Sequence, residues 1–453
     1  MESVVKDLEG IVGKDWVVTK REQMESYLVD ETAVPVRPQP AADIVLVKPA
    51  GTGEVSDILK LANDRKIPVF PRGGGTGLVG GAIPTKDGIV LSTERMDKIE
   101  IDRENMMAVV GAGATLEKLL KAVDDADMLF PPHPGDEGAQ AGGMVACNAG
   151  GSRAVKYGVI REYVKGIEVV LPTGEIVNLG GKLLKNNTGY SLMHLIIGSE
   201  GTLGIITKVI FRLYPKFGAT ATLVVPYDSR HDAINTVPKI LQRGITPLAL
   251  EYMERDSIEK SAEHLSKKWP CREGNAFLMI IVTGGDLDEV YSESEKISAT
   301  CQENGSSEPL IAESREEQDR ILDMRSNIYT ALKPDMVDIL DVTVPPANMG
   351  KLMDAIDNIS EKYGAYIPMY GHAGDGNLHA HLMKEEGKGL EHFRKLKDEI
   401  YRAAIGLKGI ITGEHGVGKI RVEDLALCLS EKEIQLMREI KKVFDPNNIL
   451  NPL

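Results

Sequence analysis

The chain has 453 residues, a formal net charge of −14, 42% hydrophobic and 26% charged side chains, and four cysteines. That length exceeds one compact core and points to two or three domains, while the acidic balance offers no broad basic face to phosphates and excludes nucleic acid as a partner. Cys147, Cys271, Cys301 and Cys428 are scattered without a C-x-x-C spacing, which excludes an iron–sulfur cluster or zinc knuckle built from this chain.

The opening "MESVVKDLEGIVGKDW" is charged throughout and lacks a signal-peptide core, and no apolar run reaches the about 20 residues of a membrane span. A cytoplasmic location is expected, with no transmembrane segment. "ADIVLVKPA" reads as a strand, and "GEVSDILKLANDRK" as a helix with Val55, Ile58, Leu59 and Ala62 on one face. The strand "IPVFPR" runs into the glycine loop "GGGTGLVGG". The strands "GIVLST" and "MMAVVGAGAT" and the helix "LEKLLKAVDDAD" follow, and later "IEVVLP" and "IVNLG" pair around a "TGE" turn. Beyond residue 215 the segments lengthen: the strand "AFLMIIVTG", one helix "REEQDRILDMRSNIYTALK", the strand "MVDILDVTVP", the helix "EKEIQLMREIKKVF" and an asparagine- and proline-rich tail. The texture is α+β, without internal repeats.

In "PRGGGTGLVGG" the amides of Gly73, Gly74, Gly75 and Gly77 suit an anion-binding nest for a pyrophosphate. The loop is not a Walker loop, since no Gly-Lys-Ser/Thr follows, and Pro84 spoils the helix start that a Rossmann fingerprint requires. A second cluster holds Gly142, Gly143, Asn148, Gly150 and Gly151, and a third Gly198, Glu200, Gly201 and Gly204. Three clusters within about 130 residues point to a large cofactor lying across several backbone turns.

"GHAGDGNLHAHL" places His372 and His379 seven apart around a glycine–aspartate turn, and strand alternation puts His379 and His381 on one face. "IITGEHG" adds Glu414. Two histidines and a carboxylate suit Zn²⁺, Mn²⁺ or Fe²⁺, and a hydrogen-bonded hairpin beside a polar turn accounts for the same residues. Asp375 reads as a turn former. His381 stays open between a fourth ligand, a substrate contact and a packed strand residue, with a site-lining role favoured. Arg325 and Tyr329, four apart, share a helix face; Arg325 fits either a substrate clamp or a solvated charge.

"PVFPRGGGTG", "PGDEGAQAGGMVACNAGG", "GSEGTLGIIT", "GHAGDGNLH", "GEHGVG" and "DPNNILNP" occur in the order found in FAD-linked 2-hydroxyacid dehydrogenases. The chain resembles these relatives of the glycolate oxidase FAD subunit and flavin D-lactate dehydrogenase, flavoproteins of the vanillyl-alcohol oxidase type. The resemblance implies a two-part FAD-binding domain over residues 1–214, an α+β cap over 215–412, and a C-terminal segment, 413–453, that returns to complete the FAD and active site. Arg72, Gly73, Gly74, Gly75, Thr76 and Gly77 then hold the FAD pyrophosphate. Pro134, Gly135, Gly142, Gly143, Asn148 and Gly151 line the flavin and ribityl chain, and Gly201, Gly204 and Ile206 touch its edge through backbone. Thr76 stands where covalently flavinylated members carry histidine, which implies noncovalent FAD.

By the same resemblance, His372, His379 and Glu414 bind a divalent metal beside the flavin. His415 is the general base, and Arg325, with Tyr329, takes the substrate carboxylate. A hydroxyl proton is lost and a hydride passes to flavin N5, giving the 2-oxo acid; electrons then leave to a quinone, an iron–sulfur subunit or an electron-transferring flavoprotein. Any membrane association is peripheral, through such a partner. Ile339 stands about where 2-hydroxyglutarate enzymes carry a lysine, which favours D-lactate or glycolate. D-2-hydroxyglutarate dehydrogenase and a non-catalytic FAD-carrying subunit are the alternatives.

Overall fold

The computed structural model describes residues 2–453, which three main sheets organise. The first has the strand order Val17–Val18, Ile44–Val47, Gly88–Ser92, Val69–Arg72, and the last three run parallel. Parallel neighbours need a crossover. The helix Thr52–Arg65 supplies it, burying Val55, Ile58, Leu59 and Ala62.

The second sheet is antiparallel, in the order Ile99–Asp102, Met107–Gly111, Ile205–Arg212, Val164–Val170, Ile176–Gly180. Its core takes in the helices Leu116–Asp125 and Ala141–Cys147. The second of these replaces part of an expected glycine loop. A Cβ on Gly142 would stand 2.8 Å from Ala112 Cβ, so glycine there lets the helix lie flush on the neighbouring chain.

The third sheet has seven antiparallel strands, ordered Leu310–Ala312, Ala219–Tyr227, Ala276–Gly284, Ala249–Glu254, Met369–His372, Asn377–Met383, Met336–Thr343. Alternation splits their side chains between two cores. Leu223, Val225, Leu278, Ile280, Leu340 and Ala380 pack against the helices Arg230–Gln242, Leu287–Gln302, Met349–Tyr363 and Leu390–Gly406. Met253, Phe277, Met279, Ile339 and Tyr370 face the helices Arg255–His264, Arg315–Ser326 and Ile328–Leu332.

The last two helices were expected as one. Asn327 interrupts them: its amide donates to the Asp323 backbone oxygen at 2.9 Å and to Asp323 Oδ1 at 3.0 Å. Such local side-chain bonds compete with continued helix.

The C-terminal chain ties the sheets together. Thr412 bridges to Asp341 at the edge of the third sheet. Val417 and Gly418 then donate backbone N–H bonds to the Glu200 carboxylate at 2.8 and 2.7 Å. The helix Glu431–Phe444, started by a Ser430–Glu433 capping box, sets Ile440 and Phe444 on the second core, and Leu450 bridges to Val69 of the first sheet. This path carries Glu414 and His415 to the glycine turns. Among the described residues, no helix is long and apolar enough to cross a membrane.

Candidate active site

One cavity of about 490 Å³ runs from the glycine turns to the histidine-bearing face of the third sheet. Arg72, Gly73, Gly74, Gly75, Thr76, Gly77, Pro134, Gly135, Gly142, Gly143, Gly201, Gly204 and Ile206 line one end, and Arg325, Tyr329, His372, His379, Glu414 and His415 the other. Asn148 and Gly151 do not line it. Asn148 closes the preceding helix at φ 49° and accepts from Arg161 N at 3.0 Å, while Gly151, at φ 125°, sits where a Cβ would stand 2.2 Å from His133 O. Both serve the turn, and their neighbours Gly150 and Ser152 reach the cavity. Arg72 lends the cavity its backbone. Its guanidinium is spent on the carbonyls of Val29 and Ser26, both at 2.7 Å.

Strand register assembles the far end. Tyr370, His379 and Asp341 form one cross-strand row, and Ile339 faces His381 in the next. His372 Nε2 lies 3.1 Å and His379 Nε2 3.3 Å from Glu414 Oε1. His372 Nδ1 meets both oxygens of Glu251, at 2.8 and 2.9 Å. Burial opposes charge on His372, but Glu251 and Glu414 outweigh it and push its pKa well up. On His415 burial wins and holds the imidazole below its usual pKa.

Asp341 anchors the loop that bears Glu414 and His415. Its Oδ2 accepts from Thr412 Oγ1 and from the amides of Gly413, Glu414 and His415 at 2.7–2.9 Å, and its Oδ1 from Asn377 Nδ2 at 2.7 Å. Burial alone would raise this carboxyl, but His415 and His379 hold it well below the usual range. Glu251, Asp341 and Asn377 went unnoticed in the sequence. The available signal was phase: "ALEYME" and "DILDVT" place an acid on the same strand face as site residues.

Arg325 is nearly buried, with Nη2 2.5 Å from Glu251 Oε2 and its guanidinium over the Tyr370 ring at 4.7 Å. Tyr329 donates to the Glu31 carbonyl at 2.6 Å. His381 shares the sheet face of His379 but does not reach the cavity. It is fully buried, stacked on Tyr370 at 5.0 Å with Nδ1 3.1 Å from Met336 Sδ, and burial pushes its pKa well down. The favoured site-lining role gives way to packing. Asp375 accepts from Asn377 N at 3.3 Å, an Asx-type turn contact.

Known families match both halves of this arrangement: an FAD binding domain over residues 44–180, and the C-terminal domain of FAD linked oxidases over 218–453. The chain belongs to the FAD-linked oxidases. It is 44% identical over 428 residues to a D-lactate dehydrogenase of Archaeoglobus fulgidus, spanning 94% of this chain and 95% of that one. The glycolate oxidase subunit GlcD of Bacillus subtilis is 37% identical over 90% of this chain and 87% of its own. In fold, p-cresol methylhydroxylase matches all of this chain and 96% of its own at a TM-score of 0.80 with 18% identity. Flavoproteins of the vanillyl-alcohol oxidase type thus share this two-domain α+β architecture.

The oxidase's residues fit both an FAD and a cation. Added Cβ atoms at Gly77, Gly135 and Gly143 meet nothing within 4 Å, so side chains there would fill the cavity itself. At the other end, Glu251, Asp341 and Glu414 bring three carboxylates among His372, His379 and His415, and Arg325 pairs with Glu251. A His372 protonated on Nδ1 turns an Nε2 lone pair toward the Glu414 carboxylate, an arrangement that asks for a second proton or a cation. His379 turns Nε2 toward Glu414 Oε1 and Asn377 Oδ1, and its other nitrogen, Nδ1, is buried without a partner. The 3.3 Å His379–Glu414 spacing matches the edge of a tetrahedron with arms of about 2.0–2.1 Å, and the 3.1 Å His372–Glu414 spacing is slightly shorter. Asp341, with four donors already on its Oδ2, forms a tight four-residue group with His379, Glu414 and His415, and His372 stands outside that group but shares Glu414 Oε1 with His379.

Proposed function

We propose that this FAD-linked oxidase oxidises a small D-2-hydroxy acid, D-lactate or glycolate, to the 2-oxo acid and passes the electrons to a separate acceptor. A quinone, an iron–sulfur subunit and an electron-transferring flavoprotein are the candidate acceptors. One observation carries the reading: a single cavity is lined by the glycine turns at one end and by His372, His379, Glu414, His415 and Arg325 at the other. The names borne by the similar proteins, D-lactate dehydrogenase and glycolate oxidase subunit, agree with it.

Bound noncovalently, FAD supplies the two-electron acceptor, and a divalent cation (Zn²⁺, Mn²⁺ or Fe²⁺) on His372, His379 and Glu414 supplies Lewis acidity toward the substrate hydroxyl. The protein's own groups do the rest. Arg325 takes the substrate carboxylate in a charge-assisted pair, with Tyr329 beside it on the wall. His415 accepts the hydroxyl proton. Its ring nitrogens stand 3.9 Å from Asp341 Oδ2 and Glu414 Oε1, beyond hydrogen bonding, and its depressed pKa keeps it neutral and ready as a base. Met279, Leu322 and Ile339 give the cavity an apolar wall.

That wall favours a small monocarboxylate. Ile339 cannot pair with a second carboxylate, while Lys333, which also lines the cavity, sits in a partly exposed pair with Glu31. The test is anaerobic loss of the oxidised-flavin absorbance with glycolate, both lactates and both 2-hydroxyglutarates. Fast bleaching by D-lactate or glycolate is expected; bleaching by 2-hydroxyglutarate alone overturns the monocarboxylate reading.

A further inference from the structure

Glu251 sits in the middle of the buried strand Ala249–Glu254 with none of its surface exposed. A carboxylate is expensive to bury, and a methionine like its face-mate Met253 would pack in the same position. The proposed reaction asks nothing of this carboxylate directly, yet it lies on the cavity wall. Its oxygens are divided between two partners: His372 Nδ1 at 2.8 and 2.9 Å, and Arg325 Nη2 at 2.5 Å.

Each contact fixes a property that the other partner cannot set. An acceptor-only group on Nδ1 holds the His372 proton there and leaves Nε2 as the nitrogen turned toward Glu414. An anion on one terminal nitrogen pins the fork of Arg325, whose Nε is buried without a partner and whose face lies over Tyr370. Arg325 lines the cavity, so this pair sets how its fork stands there.

We propose that Glu251 is a positioning residue shared by both halves of the site, setting the His372 tautomer and the Arg325 direction through one carboxylate, so that cation retention and substrate-carboxylate binding depend on it together. The proposal rests on the reading that His372 helps hold a divalent cation and Arg325 the substrate carboxylate.

Glu251→Gln tests it. The glutamine amide has one acceptor and one donor end, so it points N–H at one partner and offers the other only a neutral oxygen, and both contacts weaken together. Co²⁺ affinity, titrated spectroscopically on the FAD-loaded protein without substrate, is expected to fall about 10–100-fold. KM for whichever 2-hydroxy acid reduces the flavin is expected to rise about tenfold, with a smaller loss of kcat at saturating metal and substrate. In an Arg325→Met background the KM effect of Glu251→Gln disappears, because the pair is coupled.

His379→Ala, which leaves Glu251 and its partners in place, separates the outcomes. If it fails to weaken Co²⁺ binding, the metal reading itself falls. If it weakens Co²⁺ while Glu251→Gln keeps both constants within about twofold, or moves only one, shared positioning is refuted and the metal reading stands. Should the glutamine variant not retain FAD, the same two constants are read on Glu251→Asp, whose shorter side chain draws the carboxylate back from both partners. Loss of both together, or of only one, decides in the same way.

Discussion

Replacing Asp341 with asparagine changes almost no volume, yet it is expected to unseat the loop that carries Glu414 and His415. Asp341 Oδ2 receives donors from Thr412, Gly413, Glu414 and His415 at 2.7–2.9 Å, and Oδ1 receives Asn377 Nδ2 at 2.7 Å. If the new amide keeps its oxygen toward the loop, those bonds lose their charge assistance and its N–H groups collide with the Asn377 amide. Asn377 can turn over only by withdrawing the oxygen it now holds 3.1 Å from His379 Nε2. If the new amide turns instead, the loop donors face N–H groups. Either way the loss is about 2–4 kcal/mol, from weakened charge-assisted bonds plus an unsatisfied buried donor. Hydrogen exchange reads this directly: 2 kcal/mol of local opening corresponds to about 30-fold faster exchange at the amides of Gly413, Glu414 and His415. Metal affinity is expected to weaken about 10–100-fold as Glu414 moves. Unchanged protection at those amides, with kcat/KM within about twofold of the parent, would falsify the anchoring role.

Three further outcomes follow from other parts of the site. His415→Asn is expected to lower kcat about 10²–10⁴-fold while FAD and metal are retained. Because burial sets the His415 pKa below 6.5, the acid limb of kcat/KM should fall below pH 6.5, with activity lost as pH drops through it; a limb above pH 7, or one that survives the substitution, contradicts its role as base. Gly75→Ala puts a side chain at φ 75° with its Cβ 2.1 Å from Arg72 Nη2. A left-handed L-residue costs about 1–2 kcal/mol, so FAD is expected to bind about tenfold more weakly, and unchanged FAD titration counts against the loop as its cradle. Ile339→Lys adds a cation to the cavity wall and is expected to shift the D-2-hydroxyglutarate to D-lactate ratio of kcat/KM by about tenfold toward the dicarboxylate, with no shift if Ile339 does not face the substrate.

Legibility in the sequence followed the range of the interactions. The helix Thr52–Arg65 and the strand Ala276–Gly284 rest on local periodicity, and both occur where their patterns place them. His372, His379, Glu414 and His415 stood out because such residues cluster in short glycine-rich stretches. Glu251 and Asp341 were hidden, since each shares its strand with a second acid, Glu254 and Asp338, and its partners lie 74 residues or more away for Glu251, and 71–74 away for the loop held by Asp341. His381 shows the limit of alternation: it gives the face of a sheet but not the depth, and Tyr370 lies across it. Asn148 and Gly151 belong to a glycine-rich stretch, but backbone conformation rather than cofactor contact explains them.

The central claim is that the histidine–carboxylate cluster and the flavin cavity act on one substrate. Stopped-flow anaerobic reduction by D-lactate or glycolate, before chelation, after complete metal removal and after Mn²⁺ or Zn²⁺ is returned, tests it most directly. The account predicts that flavin reduction slows on removal by at least about 10²-fold, with FAD still bound, and recovers when the metal is restored. Reduction at the parent rate in protein free of metal would contradict it.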